Sequence, residues 1–515
     1  MIASTPRLAL LLAVTLTAVT LTGVAGAQDC LPAKELLPPG NYVPLDDVGV
    51  DVAVHAGEVL VGARYDDNGG VSNAGSGLLF DAASTAFVRP LLPGATTVPQ
   101  AECGTSVDLD GGLAVMGAPY ITTDDNFLGT AWIHDVATGA ILAELQPSEP
   151  GLADRFGQSV GISGDTIVVG APEDTPGSVW IFDSADGQLR FKWIADQPTP
   201  GDQVGWSVDV DGDVAITGAL RDSQAGPPLA GAAYLFDVTT GQQLHRLESP
   251  TPLSGGSFGR AVAIDGDHAL VTGGQGVHLF DVPTGLWLRT FTSPSGVGFG
   301  FGRDLALEGD RVVIAQYRSS NSPGTAIGPG SVWVFDAVTG ALEAELNADV
   351  PSDTDGFAKA VDLDGGVLAV TSGPPTFSFT EIGRIHVIDL DFDGFESVGP
   401  GLGGVAGVPT LVGSGDLTPG GSFSVALADG APSAATFVIL GLSNLSAPFR
   451  GGVLVPTPDL ILSGFATNAG GDLVLPSTWP AAGLGCLPIY AQMWISDGSA
   501  PAGYSASNGL LIVGS

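Results

Sequence analysis

The feature that most constrains this chain is a repeat. The stretch from Arg155 to Asp183 reads RFGQSVGISGDTIVVGAPEDTPGSVWIFD, and residues 33–397 are variations on it. Its apolar runs are short, rich in β-branched residues and bounded by Gly, Pro and Asp, which is strand chemistry rather than helix chemistry. Runs at 158–162, 166–170, 178–183 and 189–194 predict four strands per unit. The anchor positions recur at Gly49, Gly104, Gly157, Gly205, Gly259, Gly302 and Ala358. The third strand of each unit ends in a phased Asp: Asp81, Asp135, Asp183, Asp237, Asp281, Asp336 and Asp389. One small sheet cannot bury both of its faces alone, so four-stranded units with a period of about 50 residues must stack in a ring. The predicted fold class is all-β: a seven-bladed β-propeller followed by a small β-sandwich. The propeller is expected over residues 28–397, a Gly/Pro/Val linker over 398–407, and the sandwich over 408–515, where short apolar runs alternate with turn residues.

Phe156-Gly157 and Gly170-Ala171-Pro172, with Ser257-Phe258-Gly259, Phe301-Gly302 and Gly117-Ala118-Pro119, resemble the FG-GAP repeats of integrin α-chain propellers and related secreted proteins. The resemblance implies a propeller of the secreted bacterial type. It departs from the family at one point. Calcium-binding members carry an Asp-rich loop between the first two strands of a unit. Here the connection is a tight turn, as at Ser163-Gly164-Asp165, Asp110-Gly111-Gly112 and Asp211-Gly212-Asp213. Asp-Gly is hairpin chemistry, so these aspartates are expected to form turns and the family's calcium sites are not carried over. The Asp-x-x-Thr-Gly turns are also similar to those of quinoprotein propellers. The position where that family carries Trp holds Ala143, Phe191, His245, Arg289 and Ala344, so no quinone cofactor is expected.

Arg7 precedes an apolar run, 8–27, that ends in Ala25-Gly26-Ala27. That pattern reads as a signal peptide over 1–27 and places the protein outside the cell, secreted or on the surface. Residues 33–37 resemble the outer strand of the second unit, and the seventh unit has no clear fourth strand of its own. An open ring would leave a raw edge, so 33–37 is expected to close blade seven. The chain carries 55 Asp and Glu against 17 Lys and Arg, a net charge of −38. That charge opposes nucleic acid and anionic membranes, and no basic patch stands out. Of three cysteines, Cys103 takes the place held by Phe156 and Phe258, so it is expected to be buried; secretion would permit a Cys30–Cys486 bridge.

No Ser-His-Asp order, metal-spaced His/Cys cluster or phosphate loop is present. Trp132, Trp180, Tyr234, His278, Trp333 and His386 share one repeat position, which argues for packing between blades rather than a ligand cage. The long connections between second and third strands fall on one face, together with those joining successive units. Candidate ligand-binding residues on them are Asp124, Asp125, Phe127, Arg221, Tyr317, Arg318, Phe377 and Phe379; aromatics beside carboxylates suit sugars or peptides. The alternative is a set of solvated loops with locally packed rings. Asp389, Asp391 and Asp393 alternate before Gly394, as at the start of an oxygen-ligand loop, although the twelfth position is Pro400 rather than Glu. They are the candidates for calcium; no other cofactor is expected. The expected function is non-enzymatic binding or adhesion to an extracellular glycan or protein. The rival readings are an extracellular hydrolase of polysaccharide or phospholipid, and a structural cell-surface protein anchored by its C-terminal domain.

Overall fold

The computed structural model describes residues 31, 33–40, 42–43, 46–94, 98–123, 126–149, 154–224, 227–274, 276–296, 300–317, 330–347, 356–373, 383–480 and 487–514. The expected signal peptide, Cys30 and Cys486 lie outside the described residues. The chain divides into two compact units at Leu390/Asp391.

The first unit holds seven four-stranded antiparallel sheets among the described residues. The third sheet shows the pattern: Val160–Ser163, Thr166–Ala171, Ser178–Asp183 and Leu189–Trp193 pair in chain order. The innermost strands are Val48–His55, Ser106–Asp110, Val160–Ser163, Val204–Asp211, Val262–Asp265, Phe301–Glu308 and Phe357–Asp364. Each packs against the next, and the last packs against the first. In the seventh sheet the outer strand comes from the other end of the unit: Ala33–Leu36 pairs antiparallel with Arg384–Asp389, Leu36 opposite Ile385.

The Phe-Gly and Gly-Ala-Pro signatures have a packing cause. Phe156 is fully buried between the second and third sheets, against Ile133 and Leu145 on one side and Ile167, Trp180 and Phe182 on the other. Gly157 adopts φ +86°, and a Cβ there would collide with Thr130 O. A Cβ at Gly170 would strike Gly205 O of the fourth sheet, so the two motifs together let neighbouring backbones touch. Gly157→Ala is expected to cost about 2–4 kcal/mol by denaturant unfolding. Gly164→Ala, also at positive φ but in open space, should cost about 1 kcal/mol. Equal losses at the two positions would refute the close-approach account.

The second unit contains a sheet of Phe395–Val398, Gly509–Ile512, Ile489–Ser496, Ala435–Gly441 and Leu460–Ala466, with Tyr504–Ala506 also paired to Ile489–Ser496. A second sheet is formed by Thr410–Gly415, Ser422–Ala428 and Leu473–Thr478. One apolar core draws on both, including Leu411, Phe423 and Leu427 from the smaller sheet and Val438, Met493 and Ile512 from the larger. The expected boundary at 397/398 moves to 390/391. Phe395–Val398 is a strand of this unit, and residues 398–407 are tied into it: Leu402 N–H donates to Ala506 O at 2.8 Å, and Val405 N–H to Asp497 Oδ2 at 2.7 Å. Trp479 and Trp494 are buried, as core residues rather than stacking platforms.

Candidate ligand-binding face

The two edges of the repeat unit differ. On one edge the first and second strands are joined by two-residue turns at 56–57, 111–112, 164–165, 212–213, 266–267, 309–310 and 365–366. The connections from third to fourth strand, on the same edge, are nearly as short. Their phased aspartates act as turn caps. Asp135 Oδ1 accepts Thr138 N–H at 2.7 Å, and Asp237 Oδ1 accepts Thr239 and Thr240 N–H at 2.9 and 2.7 Å. These bonds favour the ionised carboxylate; Asp237, held mainly by Thr239, falls to about 2.

The opposite edge is elaborated. Val204 pairs with Ala219, Phe301 with Gln316 and Phe357 with Ser372, so each innermost strand begins beside the place where a second strand ends. The connections 64–75, 119–129, 220–231, 317–330 and 373–383 therefore leave from the same edge as the starts of the innermost strands. Arg221 and Tyr317 lie on two of these connections, Arg221 exposed and Tyr317 half-buried. Among the described residues no hydrogen bond or ion pair joins those two. Phe127 sits in a short strand, Asn126–Phe127. Asp124, Asp125, Arg318, Phe377 and Phe379 lie outside the described residues.

Asp389 ends the strand Arg384–Asp389, while Asp391 and Asp393 belong to the second unit, where Asp393 Oδ1 accepts Phe395 N–H at 3.0 Å. Among the described residues no group of three His, Cys, Asp or Glu is placed to hold a metal. Cys103 is fully buried, and burial pushes its thiol up, which suits an inert apolar filler.

The turn aspartates between first and second strands do something else. Their side chains reach across to the next sheet. Asp211 Oδ2 accepts Gly266 N–H at 2.8 Å, Asp364 Oδ2 accepts Ala56 N–H at 2.8 Å, and Glu308 Oε1 accepts Gly365 N–H at 2.7 Å. Ser163 Oγ accepts Gly212 N–H at 3.2 Å, Asp110 bonds Gly164 and Asp265 bonds Gly309; His55 Nε2 lies 3.6 Å from Asp110 Oδ1. Six of the seven junctions thus carry such a staple in this layer, and at the junction of the first and second sheets His55 approaches Asp110 instead. Asp110 and Asp211 thus bond the next sheet as well as flanking the two-residue turns expected from Asp-Gly chemistry.

A deeper layer repeats the device. Asp108 Oδ2 accepts Ile162 N–H and Asp209 Oδ2 accepts Ile264 N–H, both at 2.7 Å, and Asp362 Oδ2 accepts Val54 N–H at 2.6 Å. Asp51 Oδ2 accepts Val107 N–H and Asp304 Oδ2 accepts Val361 N–H, both at 2.9 Å. These carboxyls bridge neighbouring innermost strands, half-exposed to water yet surrounded by protein. Burial raises Asp209 and Asp362 to about 7, and burial with the facing charges of Asp362 and Asp209 raises Asp108 well above the usual range. Asp51 and Asp304 are raised by burial too, Asp51 also by the charge of Asp304.

Sequence reading missed a cationic group on the elaborated edge. The residue after the repeat anchor is Arg260, Arg303 and Lys359 in three successive units. Lys359 Nζ pairs with Asp47 Oδ1 at 2.5 Å, and Arg64 Nε with Asp47 Oδ2 at 2.7 Å. Arg260 and Arg303 are exposed and have no hydrogen-bond or ion-pair partner among the described residues. The signal was the phase: three cations at one repeat position in a chain this acidic.

The repeats are similar to a described family. The FG-GAP repeat model matches residues 142–182 and 191–236, and the chain carries FG-GAP repeats. Comparison with solved structures finds one described as "Crystal structure of RRP9 WD40 repeats", at 13% identity and a TM-score of 0.46, covering 71% of this chain and 98% of that one. No curated protein matches. Among the described residues no helix is long and apolar enough to cross a membrane, which says nothing of a β-barrel.

Proposed function

We propose that the FG-GAP repeats form a secreted seven-bladed propeller, followed in the chain by a β-sandwich, that works as a non-enzymatic binding or adhesion module for an extracellular glycan or protein. The observation that carries this reading is the asymmetry of the two edges. One edge is sealed by two-residue turns and capped aspartates; the other carries every long connection and presents Arg221, Tyr317, Arg260 and Arg303. Loops held by a rigid scaffold are where recognition is usually built. FG-GAP repeats are typical of extracellular proteins, which supports the location. The calcium reading of Asp389, Asp391 and Asp393 remains part of the proposal only as a dependence to be measured.

A panel of polysaccharides, envelope fractions and extracellular proteins, each with calcium and with chelator, tests it on the full chain. A saturable ligand should weaken by about tenfold or more when Arg221 and Tyr317 are both changed to Ala. It should be unaffected by Asp186→Ala on the sealed edge. Binding that follows the sealed edge instead, or turnover of a panel member, would replace this reading.

A further inference from the structure

The starts of the innermost strands on the elaborated edge are the place to ask what kind of ligand the protein takes. The net charge is −38, yet cations gather there. Arg64 and Lys359 share Asp47. Arg155 lies 3.9 Å from Glu173 and over the ring of Tyr120. Arg260 and Arg303 are different: each follows the anchor glycine at the start of an innermost strand, the two strands are neighbours, and neither guanidinium has a partner among the described residues.

The two sit close enough to repel. Partial loss of hydration lowers Arg260, and the charge of Arg303 lowers it further. The carboxyl of Asp304 lies in the field of Arg303, but its oxygens accept the Val361 and Leu305 N–H groups and it forms no ion pair with either guanidinium among the described residues. Two neighbouring guanidiniums with no ion-pair partner leave their N–H donors free for an anion, and their planar forks match the two oxygens of a carboxylate or sulfate. Backbone bonds fix their starting points: Ser207 Oγ donates to Gly259 O at 3.0 Å, and Thr272 Oγ1 to Gly302 O at 2.9 Å.

Aromatic surface flanks the pair. Trp206 holds the same repeat position in the preceding sheet, half-buried, with no ring or cation partner among the described residues. On the other side, Tyr317 is half-buried and within the field of Arg303. A flat apolar ring beside paired guanidiniums suits a sugar that carries a charge. A long polyanion would meet the repulsion of the whole molecule, whereas a short saccharide meets less of it.

We propose that Arg260 and Arg303, at the starts of neighbouring innermost strands, bind the carboxylate or sulfate of an acidic saccharide whose ring lies against Trp206. This deepens the reading of the elaborated edge as a binding face and rests on it. The probes are a galacturonate trisaccharide, a sulfated galactose trisaccharide and neutral galactotriose, titrated calorimetrically into the full chain at low and at 0.5 M salt. One or both acidic probes should bind and the neutral one should not; which of the two binds separates carboxylate from sulfate. Arg260→Ala with Arg303→Ala should weaken binding by about tenfold or more, and high salt should do the same. Trp206→Ala should weaken saccharide binding by about fivefold. Both arginines are exposed, so an unchanged melting temperature is expected and shows that the fold survives.

Acidic probes that do not bind, or that bind equally well to the arginine variant, would overturn the proposal. A panel ligand that is lost with Arg221 and Tyr317 but not with Arg260 and Arg303 would overturn it while leaving the binding face standing. Loss of neither would remove both.

Discussion

Leu36→Asp is expected to lower stability by about 3–5 kcal/mol, read as the midpoint of denaturant unfolding. Leu36 is fully buried and belongs to the core shared with Val48, Val61 and Leu78 of the first sheet and Ile385 and Val387 of the seventh. A carboxylate placed there has no partner. It would also loosen the short strand Ala33–Leu36, leaving Arg384–Asp389 as an unpaired edge. Leu37 is the control: it is 65% exposed, and Leu37→Asp should leave the midpoint within about 0.5 kcal/mol. Deletion of 33–36 should be worse than either change. If all three variants unfolded like the parent, the strand would have no part in holding the ring.

The second large effect is with pH. Asp209 and Asp362, raised to about 7, and Asp108, Asp51 and Asp304, raised with them, all prefer the protonated form in the folded chain. What they contribute is complete below the unfolded value of about 4 and is lost as pH rises, for Asp209 and Asp362 through about 7. Asp237, Asp135 and Asp336 on the sealed edge are shifted down, so what they contribute is present at neutral pH and disappears only in acid. The melting temperature should therefore rise from pH 8 to about pH 5 and fall again below about pH 4. After allowance for their partial exposure to water, Asp209 and Asp362 are each worth about 1 kcal/mol across that range. Asn at positions 209 and 362 keeps an acceptor for the Ile264 and Val54 N–H groups but cannot titrate. The double variant should lose part of the slope between pH 5 and pH 8. A parent protein most stable at pH 8, or a slope unchanged by the Asn variants, would show that these carboxyls do not govern it.

The repeat was readable because its chemistry is local. Phe156-Gly157 and Gly170-Ala171-Pro172 answer to steric demands that recur in every unit, so phase alone revealed FG-GAP repeats and an all-β chain of four-stranded sheets. The aromatic column at Trp132, Trp180 and Tyr234 was legible as packing for the same reason, and those rings are buried. The staples were not legible. Asp110 and Asp211 stand in turns that any aspartate could form, and only the distance to the next sheet's N–H reveals their use. The division at Leu390/Asp391 was hidden too, since the strand Phe395–Val398 gains its meaning from Gly509–Ile512, more than a hundred positions away. The pair of Arg260 and Arg303 went unnoticed because a search for basic runs looks along the chain, whereas these residues are neighbours only across sheets.

The staples also govern how this unit can come apart. A linear array of repeats frays from its ends, because each terminal repeat has one neighbour. Here the bonds from Asp362 to Val54 and from Asp364 to Ala56 join residues 308 positions apart, and like the other junctions this one is held by side chains that accept backbone N–H groups of the next sheet. No sheet is terminal, so none can peel away without breaking two junctions at once. The physical result is all-or-none behaviour on a scale of some 360 residues, much longer than the stretch over which a solenoid of similar units would cooperate.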